Sequence, residues 1–168
     1  MANTFDLIQT FDAAVGGSAY ADFTSIPSTF TDLRFIISSR NTDVYNEIHF
    51  KINNGGSYAF MYFQITGSTK SQSYSTNSST IQGMPQAVSG ATANMFGAGN
   101  LYVPYYQNSN MKKSVVGLGT QANLNTFLVG FMQGANGDTT NITSIRAQSS
   151  IGNLAEGTKI SLYGIKNA

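Results

Sequence analysis

Hydrophobic and polar residues alternate along much of this chain with a period of two. Glu47-Ile48-His49-Phe50-Lys51-Ile52 is the cleanest case, with Ile48, Phe50 and Ile52 on one face and Glu47, His49 and Lys51 on the other. Successive side chains of a strand point to opposite faces, so this run predicts a half-buried strand. Asn53-Asn54-Gly55-Gly56 follows, and Asn and Gly tolerate the positive φ that tight turns require. An aromatic run over residues 58–65 comes next, and the three pieces together predict a hairpin. In its second strand Tyr58, Phe60 and Tyr62 share one face, while Met61, Phe63 and Ile65 share the other. A strand apolar on both faces is either central in a sandwich or covered by a partner chain.

Further strands are predicted over residues 5–11, 19–24, 32–39, 100–106, 114–121, 126–133, 140–148 and 158–165. Helical periodicity is confined to Leu124, Phe127, Leu128, Phe131 and Met132. The same stretch reads as a strand through Phe127, Val129 and Phe131, and Gly130 and Gly134 weigh against a helix, so it is assigned as a strand. Residues 67–80 are nearly all hydroxyl and amide side chains and are expected to form a long polar surface loop. Residues 82–99 are rich in Gly and Ala and hold Met84, Met95 and Phe96, apolar groups expected to pack against a neighbour. About ten short strands in one chain predict a single all-β domain, an antiparallel β-sandwich of jelly-roll-like type. Such a fold carries edge strands that Lys and Pro usually protect, and the chain has only 6 Lys (Lys51, Lys70, Lys112, Lys113, Lys159, Lys166) and 3 Pro. A defined oligomer would cover such edges.

Composition sharpens this picture. Charged residues make up 10% of the 168, against about 25% in ordinary globular proteins. Gly, Ser, Thr and Asn together account for 69 residues, a polar but uncharged excess. Leu, Ile, Val and Phe still supply 39 residues, enough for a packed core. A net charge of +1 lacks the basic field that nucleic-acid binding needs. No apolar run approaches the roughly 18 residues of a membrane-spanning helix. The opening Met1-Ala2-Asn3-Thr4-Phe5-Asp6 shows neither a basic nor an apolar leader region, so synthesis in a cytoplasm without a secretory signal is expected. With no Cys, disulfides and thiolate metal sites are excluded.

Catalytic chemistry finds little purchase. His49, the one histidine, lies on the polar phase of its strand with Glu47 and Lys51 and reads as a solvated strand residue. No Gly-x-Ser-x-Gly elbow accompanies it. The eight carboxylates show no local pairing of the kind glycosidases use; Asp32, at a strand start, reads as capping a turn. Asn136-Gly137-Asp138 lacks the alternating acids and closing Glu of a calcium loop and reads as a turn. Gly117-Leu118-Gly119 lacks the Lys-Ser/Thr ending of a phosphate loop, and its glycines are expected to relieve crowding in a strand. Catalytic, cofactor-binding and metal-binding residues are therefore assigned to none, and no enzyme activity is expected. Aromatics are the enriched handle. Tyr102, Tyr105 and Tyr106 flank Pro104, with Gln107, Asn108 and Asn110 close behind. Such rings beside amides suit sugar stacking or a protein interface, or else fill the rim of the core. Tyr58, Phe60, Tyr62, Met95, Phe96, Tyr102, Tyr105 and Tyr106 are the candidate interface residues.

Three stretches taken in order resemble a known class. They are Ser25-Ile26-Pro27-Ser28-Thr29-Phe30-Thr31-Asp32-Leu33-Arg34-Phe35 continuing to Ser38-Ser39-Arg40; Leu101-Tyr102-Val103-Pro104-Tyr105-Tyr106 with Lys112-Lys113-Ser114; and Ile142-Thr143-Ser144-Ile145, Gly152-Asn153-Leu154 and Gly157-Thr158-Lys159-Ile160-Ser161-Leu162-Tyr163-Gly164-Ile165. Together they resemble small virion structural proteins of tailed bacteriophages, including those of cyanophages. The resemblance implies a jelly-roll-like fold on the particle, as a capsid decoration (cement) protein or a tail or fibre component. A decoration protein would bridge major capsid subunits, and a homotrimer is the assembly expected of it. A tail or fibre module would instead bind host-surface glycan. Neither role calls for nucleic acid or a membrane, and the expected location is the virion. Phe30 stands where such sequences often carry Tyr, and no Trp precedes the Ile142–Ile145 stretch, which weakens a sugar-binding role built on Trp.

Overall fold

A computed structural model describes residues 4–45, 47–123 and 126–166. Its described residues form twelve strands: β1 (Phe5–Asp12), β2 (Tyr20–Phe23), β3 (Asp32–Ser39), β4 (Glu47–Ile52), β5 (Tyr58–Thr66), β6 (Thr69–Ser78), β7 (Ile81–Pro85), β8 (Gly97–Val103), β9 (Ser114–Asn123), β10 (Thr126–Asn136), β11 (Ile145–Ser149) and β12 (Lys159–Ile165). Two antiparallel sheets result, one of eight strands in the order β1-β12-β3-β8-β9-β10-β5-β6 and one of four in the order β2-β11-β4-β7. The two sheets pack face to face as an all-β sandwich. Chain passage alternates between them from β2 to β5, and three neighbouring strands, β8, β9 and β10, lie between β3 and β5. This is a jelly-roll-like order enlarged by a hairpin and by an added β1–β12 edge.

The alternating pattern explains the core. Leu33, Phe35 and Ile37 of β3, Leu101 and Val103 of β8, and Ile160 and Leu162 of β12 point inward from the large sheet. Ile48, Phe50 and Ile52 of β4 meet them, with Ala21 and Phe23 of β2 and Ile145 and Ala147 of β11. Phe23 and Phe35 join the sheets edge to face, with ring centroids 5.1 Å apart. At the other end β7 descends onto a floor of glycines. A Cβ at Gly130 would lie 2.6 Å from Pro85 Cγ, and one at Gly134 would lie 2.3 Å from Ile81 Cγ2. The floor includes Gly117 and Gly119, where Met84 and Pro85 press within 3 Å of the missing Cβ positions. The sequence expectation that Gly117 and Gly119 relieve crowding holds, and the crowding comes from β7 and, at Gly117, also from Met132 of β10.

Three sequence expectations need correction. Strands β4 and β5 do not form a hairpin: β4 belongs to the small sheet and β5 to the large one. The Tyr58 hydroxyl accepts from Ile52 N–H at 2.8 Å and lies 2.8 Å from the Ile52 carbonyl, meeting groups that a hairpin partner would have met. Asn53 at φ 50° and Asn54 at φ 52° turn the chain out of the small sheet, and the Asn53 side chain is held by Ser144 N–H and the Asn141 carbonyl. The polar run 67–80 is not a loop either. Residues 69–78 form β6, which pairs with β5 through Tyr74 opposite Met61 and Gln72 opposite Phe63. A two-residue turn with Gly67 at φ +58° closes that hairpin. Because β6 lies at the sheet edge and exposes nearly all its side chains, it needs no apolar face, and periodicity could not reveal it. Finally, the 82–99 stretch, for which no strand was predicted, begins within β7, and its Met84 is buried in the chain's own core. The 126–133 stretch is a strand as expected; Leu124 lies outside the described residues.

Candidate functional site

The inward-facing half of each strand is accounted for by the core. The unusual half is outward. On β10, Leu128, Gly130, Met132 and Gly134 face in, so Phe127, Val129 and Phe131 face out, with Phe127 70% exposed. On β5, Tyr58, Phe60, Tyr62 and Gln64 face in, so Met61, Phe63 and Ile65 face out. Strand register places these side by side. Phe131 lies opposite Phe63 on one side and Leu118 of β9 on the other; Leu118 in turn lies opposite Asn100, and Asn100 opposite Ile36. The Phe63 and Phe131 rings stack at 5.4 Å. Tyr74 of β6, 77% exposed, extends the surface to the edge.

Nine large apolar side chains on this face are each more than a third exposed. Aromatic side chains alone can bury about 150–250 Å² each, so at half exposure the group presents roughly 800 Å² to water. The largest apolar patch on a typical monomer is about 300–600 Å². At about 25 cal/mol per Å², covering that surface is worth about 20 kcal/mol before association costs of about 4–15 kcal/mol. Charge is distributed oppositely. Strands β5, β9 and β10 contain no charged residue, and β6 contains only Lys70. The ion pairs lie elsewhere: Asp12–Lys159 and Asp6–Lys166 along the β1–β12 edge, and Arg146–Asp22 at 2.6 Å on the outer face of the small sheet, with the guanidinium over the Tyr20 ring.

The sequence-predicted interface residues are scattered by this geometry. Tyr58, Phe60 and Tyr106 are buried in the chain's own core, and Tyr62 packs on it with its ring parallel to Phe60 at 6.0 Å. The sequence pattern correctly identified β5 as two-faced, but the free face is Met61, Phe63 and Ile65. Phe96 lies half-buried against Gly157, and the Met95 carbonyl accepts from Arg40 Nη1 at 3.0 Å. The Arg40 guanidinium binds four carbonyls in all, those of Ser89, Ala91, Thr92 and Met95, and so fixes the segment between β7 and β8. Tyr102 donates to Asp32 Oδ2 at 2.7 Å, and burial with that carboxylate pushes its pKa up to about 12. Asp32 Oδ1 accepts from Tyr105 N–H at 2.8 Å, so this buried acid does secure a turn, one that follows β8. Tyr105 alone of the three tyrosines is exposed, while the Tyr106 hydroxyl donates to the Pro27 carbonyl.

Polar groups inside the molecule are engaged in structural work. Lys113 is buried, and its ammonium donates to the carbonyls of Asn108, Met111 and Thr139; burial lowers its pKa. Asn136 and Asp138 form successive side-chain-capped turns, as the sequence suggested. His49 departs from its solvated reading. Its side chain is 13% exposed, with Nδ1 3.3 Å from Thr80 Oγ1 and Nε2 3.5 Å from Glu47 Oε2. Glu47 Oε1 accepts from Gln64 Nε2 at 3.1 Å, which carries the cluster across to the large sheet. Thr80 is buried, so the cluster clips β4 to β5 and to the start of β7. Among the described residues no group of three or more His, Cys, Asp or Glu side chains is placed to hold a metal ion.

No protein-family model matches the chain, and no curated protein matches it. The residues themselves therefore carry the functional argument.

Proposed function

We propose that this chain is a bacteriophage virion structural protein, a capsid decoration protein that bridges and stabilises major capsid subunits. The observation that carries the reading is the broad, uncharged apolar outer face of β9, β10 and β5. A surface of that size on a folded chain favours a protein neighbour over water. Contacts made by apolar burial hold in salt, which screens charge pairs but not hydrophobic association, and that suits a particle exposed to varied media. The resemblance to tailed-phage structural proteins points the same way. A sandwich whose sheets are pinned by buried polar clips is a rigid unit able to transmit load between neighbours.

The test is binding of the purified protein to expanded capsids stripped of it. Cosedimentation that persists in high salt is expected. Failure to bind, together with its absence from purified particles, overturns the proposal. A tail or fibre module binding host glycan is the alternative, and the exposed Tyr105 ring beside Asn108 and Asn110 is the observation in its favour. Glycan-array binding lost in Tyr105→Ala, with only a few copies per particle, would establish it instead.

A further inference from the structure

We propose that the outer face of β9, β10 and β5 is where two copies of this chain pair, like face on like face. The inference rests on the proposed structural role, names the first neighbour of that surface, and sets a two-fold pair in place of the homotrimer expected from the resemblance. Its area is the first argument. The roughly 800 Å² on offer, counting Ile36 of β3 and Tyr74 of β6 at its margins, is what each partner contributes to a standard stable interface. Charge is the second. With no charged side chain on these three strands and only Lys70 of β6 at their margin beside Ile65, two identical faces meet with little repulsion, whereas an acidic or basic partner finds little to pair with. Shape is the third. The Phe63–Phe131 stack stands at the centre with Leu118 beside it, and shallow furrows lie on both sides. Rows and furrows of this kind let two sheets interdigitate at about 10 Å, as within a sandwich. A two-fold pairing also closes on itself and leaves no apolar face to propagate into fibres.

The experiment is the solution mass of the full chain by sedimentation equilibrium. Twice the 18.0 kDa chain mass is expected at micromolar concentration, unchanged in about 1 M salt. Phe131→Glu should raise the dissociation constant at least about 30-fold, the effect of losing a central anchor. Phe131→Gln should shift it in the same direction, with circular dichroism showing both variants folded. Val15→Glu, at an 86% exposed residue in the loop after β1, should leave the mass unchanged. Because the chain has no cysteine, Leu118→Cys gives a clean second readout. Its thiol should react slowly with maleimide in the otherwise native protein and quickly once Phe131→Glu is added. A monomer, a mass of three chains, or a dimer untouched by Phe131→Glu overturns the inference. Capsid binding by a monomer or a trimer would overturn this pairing yet leave the proposed function standing, so the two failures are distinguishable.

Discussion

Gly134→Ala adds one methyl group to the inner face of β10, where the fold has no room for it. The new Cβ would sit 2.3 Å from Ile81 Cγ2 and 3.0 Å from both Ile81 Cγ1 and Cδ1. Comfortable carbon contacts begin at about 3.5 Å, so β7 and β10 must separate by about 1 Å or Ile81 must leave its rotamer. Neither is easy. Ile81 is fully buried, and its Cγ2 hangs directly on a branched Cβ that is stiff about χ1. Overpacking of this kind costs about 1–3 kcal/mol. For a chain of this length that corresponds to a fall in Tm of about 2–4 °C per kcal/mol, so a loss of about 2–12 °C is expected. Gly56→Ala is the control, since a Cβ there meets nothing within 4 Å and its φ is not in the left-handed region; its Tm should stay level or rise slightly. Calorimetry on both variants and on the Ile81→Ala, Gly134→Ala double variant decides the matter. The double variant should lose less than the sum of its two parts, because the added methyl then fills part of the space vacated by Ile81. An unchanged Tm in Gly134→Ala, or strict additivity in the cycle, would refute the close seating of β7.

Two further outcomes follow from the same physical reading. Arg40→Lys should lower stability by about 2–3 kcal/mol and speed amide exchange over residues 89–96, because one ammonium cannot reach the four carbonyls that the guanidinium spans; unaltered exchange there would contradict its organising role. Alkaline pH should also destabilise the fold. Tyr58, Tyr62, Tyr102 and Tyr106 all have pKa values raised above 10.0, chiefly by burial, so their contribution is intact below that pH and lost as pH climbs through the raised values. Lys113, lowered by burial, acts the other way just below its ordinary value of 10.5, but it is one group against four. Tm should therefore fall between about pH 10 and 12, less steeply in Tyr102→Phe, and a flat profile would contradict the assignment.

Much of the fold was legible because most strands have one buried face. β3 and β4 alternate cleanly and begin and end where the pattern places them. β6 was invisible for the opposite reason: an exposed edge strand of Ser, Thr and Asn gives no periodic signal, and only the register of β5 shows it. β7 was obscured because Ile81, Gly83, Met84 and Pro85 are all buried, some against the small sheet and some on the glycine floor, which erases alternation. The β4–β5 hairpin misled because a turn signal says that the chain reverses, not that the reversed strand stays in the same sheet. Once Tyr58 bonds the Ile52 backbone, it does not.

The exposed apolar face was half legible. Two-faced β5 announced a second apolar side, but choosing between Tyr58-Phe60-Tyr62 and Met61-Phe63-Ile65 required knowing which side met β7. The aromatic handle at 102–106 pointed to the surface, yet Asp32 and Pro27 draw two of its three hydroxyls inward. The stretches that resemble phage structural proteins prove to be joints of the fold. The Phe30 ring lies over Gly164, within 2.5 Å of where a Cβ would stand, Ile26 N–H donates to the Thr143 carbonyl, and Thr158 binds Arg40. They join parts of the sandwich, while the exposed apolar surface lies mainly on strands between them.

The most direct measurement of the central idea, that this chain acts by being packed among other proteins, is a reconstruction of the assembled particle at side-chain detail. The expected map places the sandwich in the shell with Phe63, Leu118 and Phe131 buried against protein. A particle without this chain, or one in which those three side chains face open solvent, contradicts it.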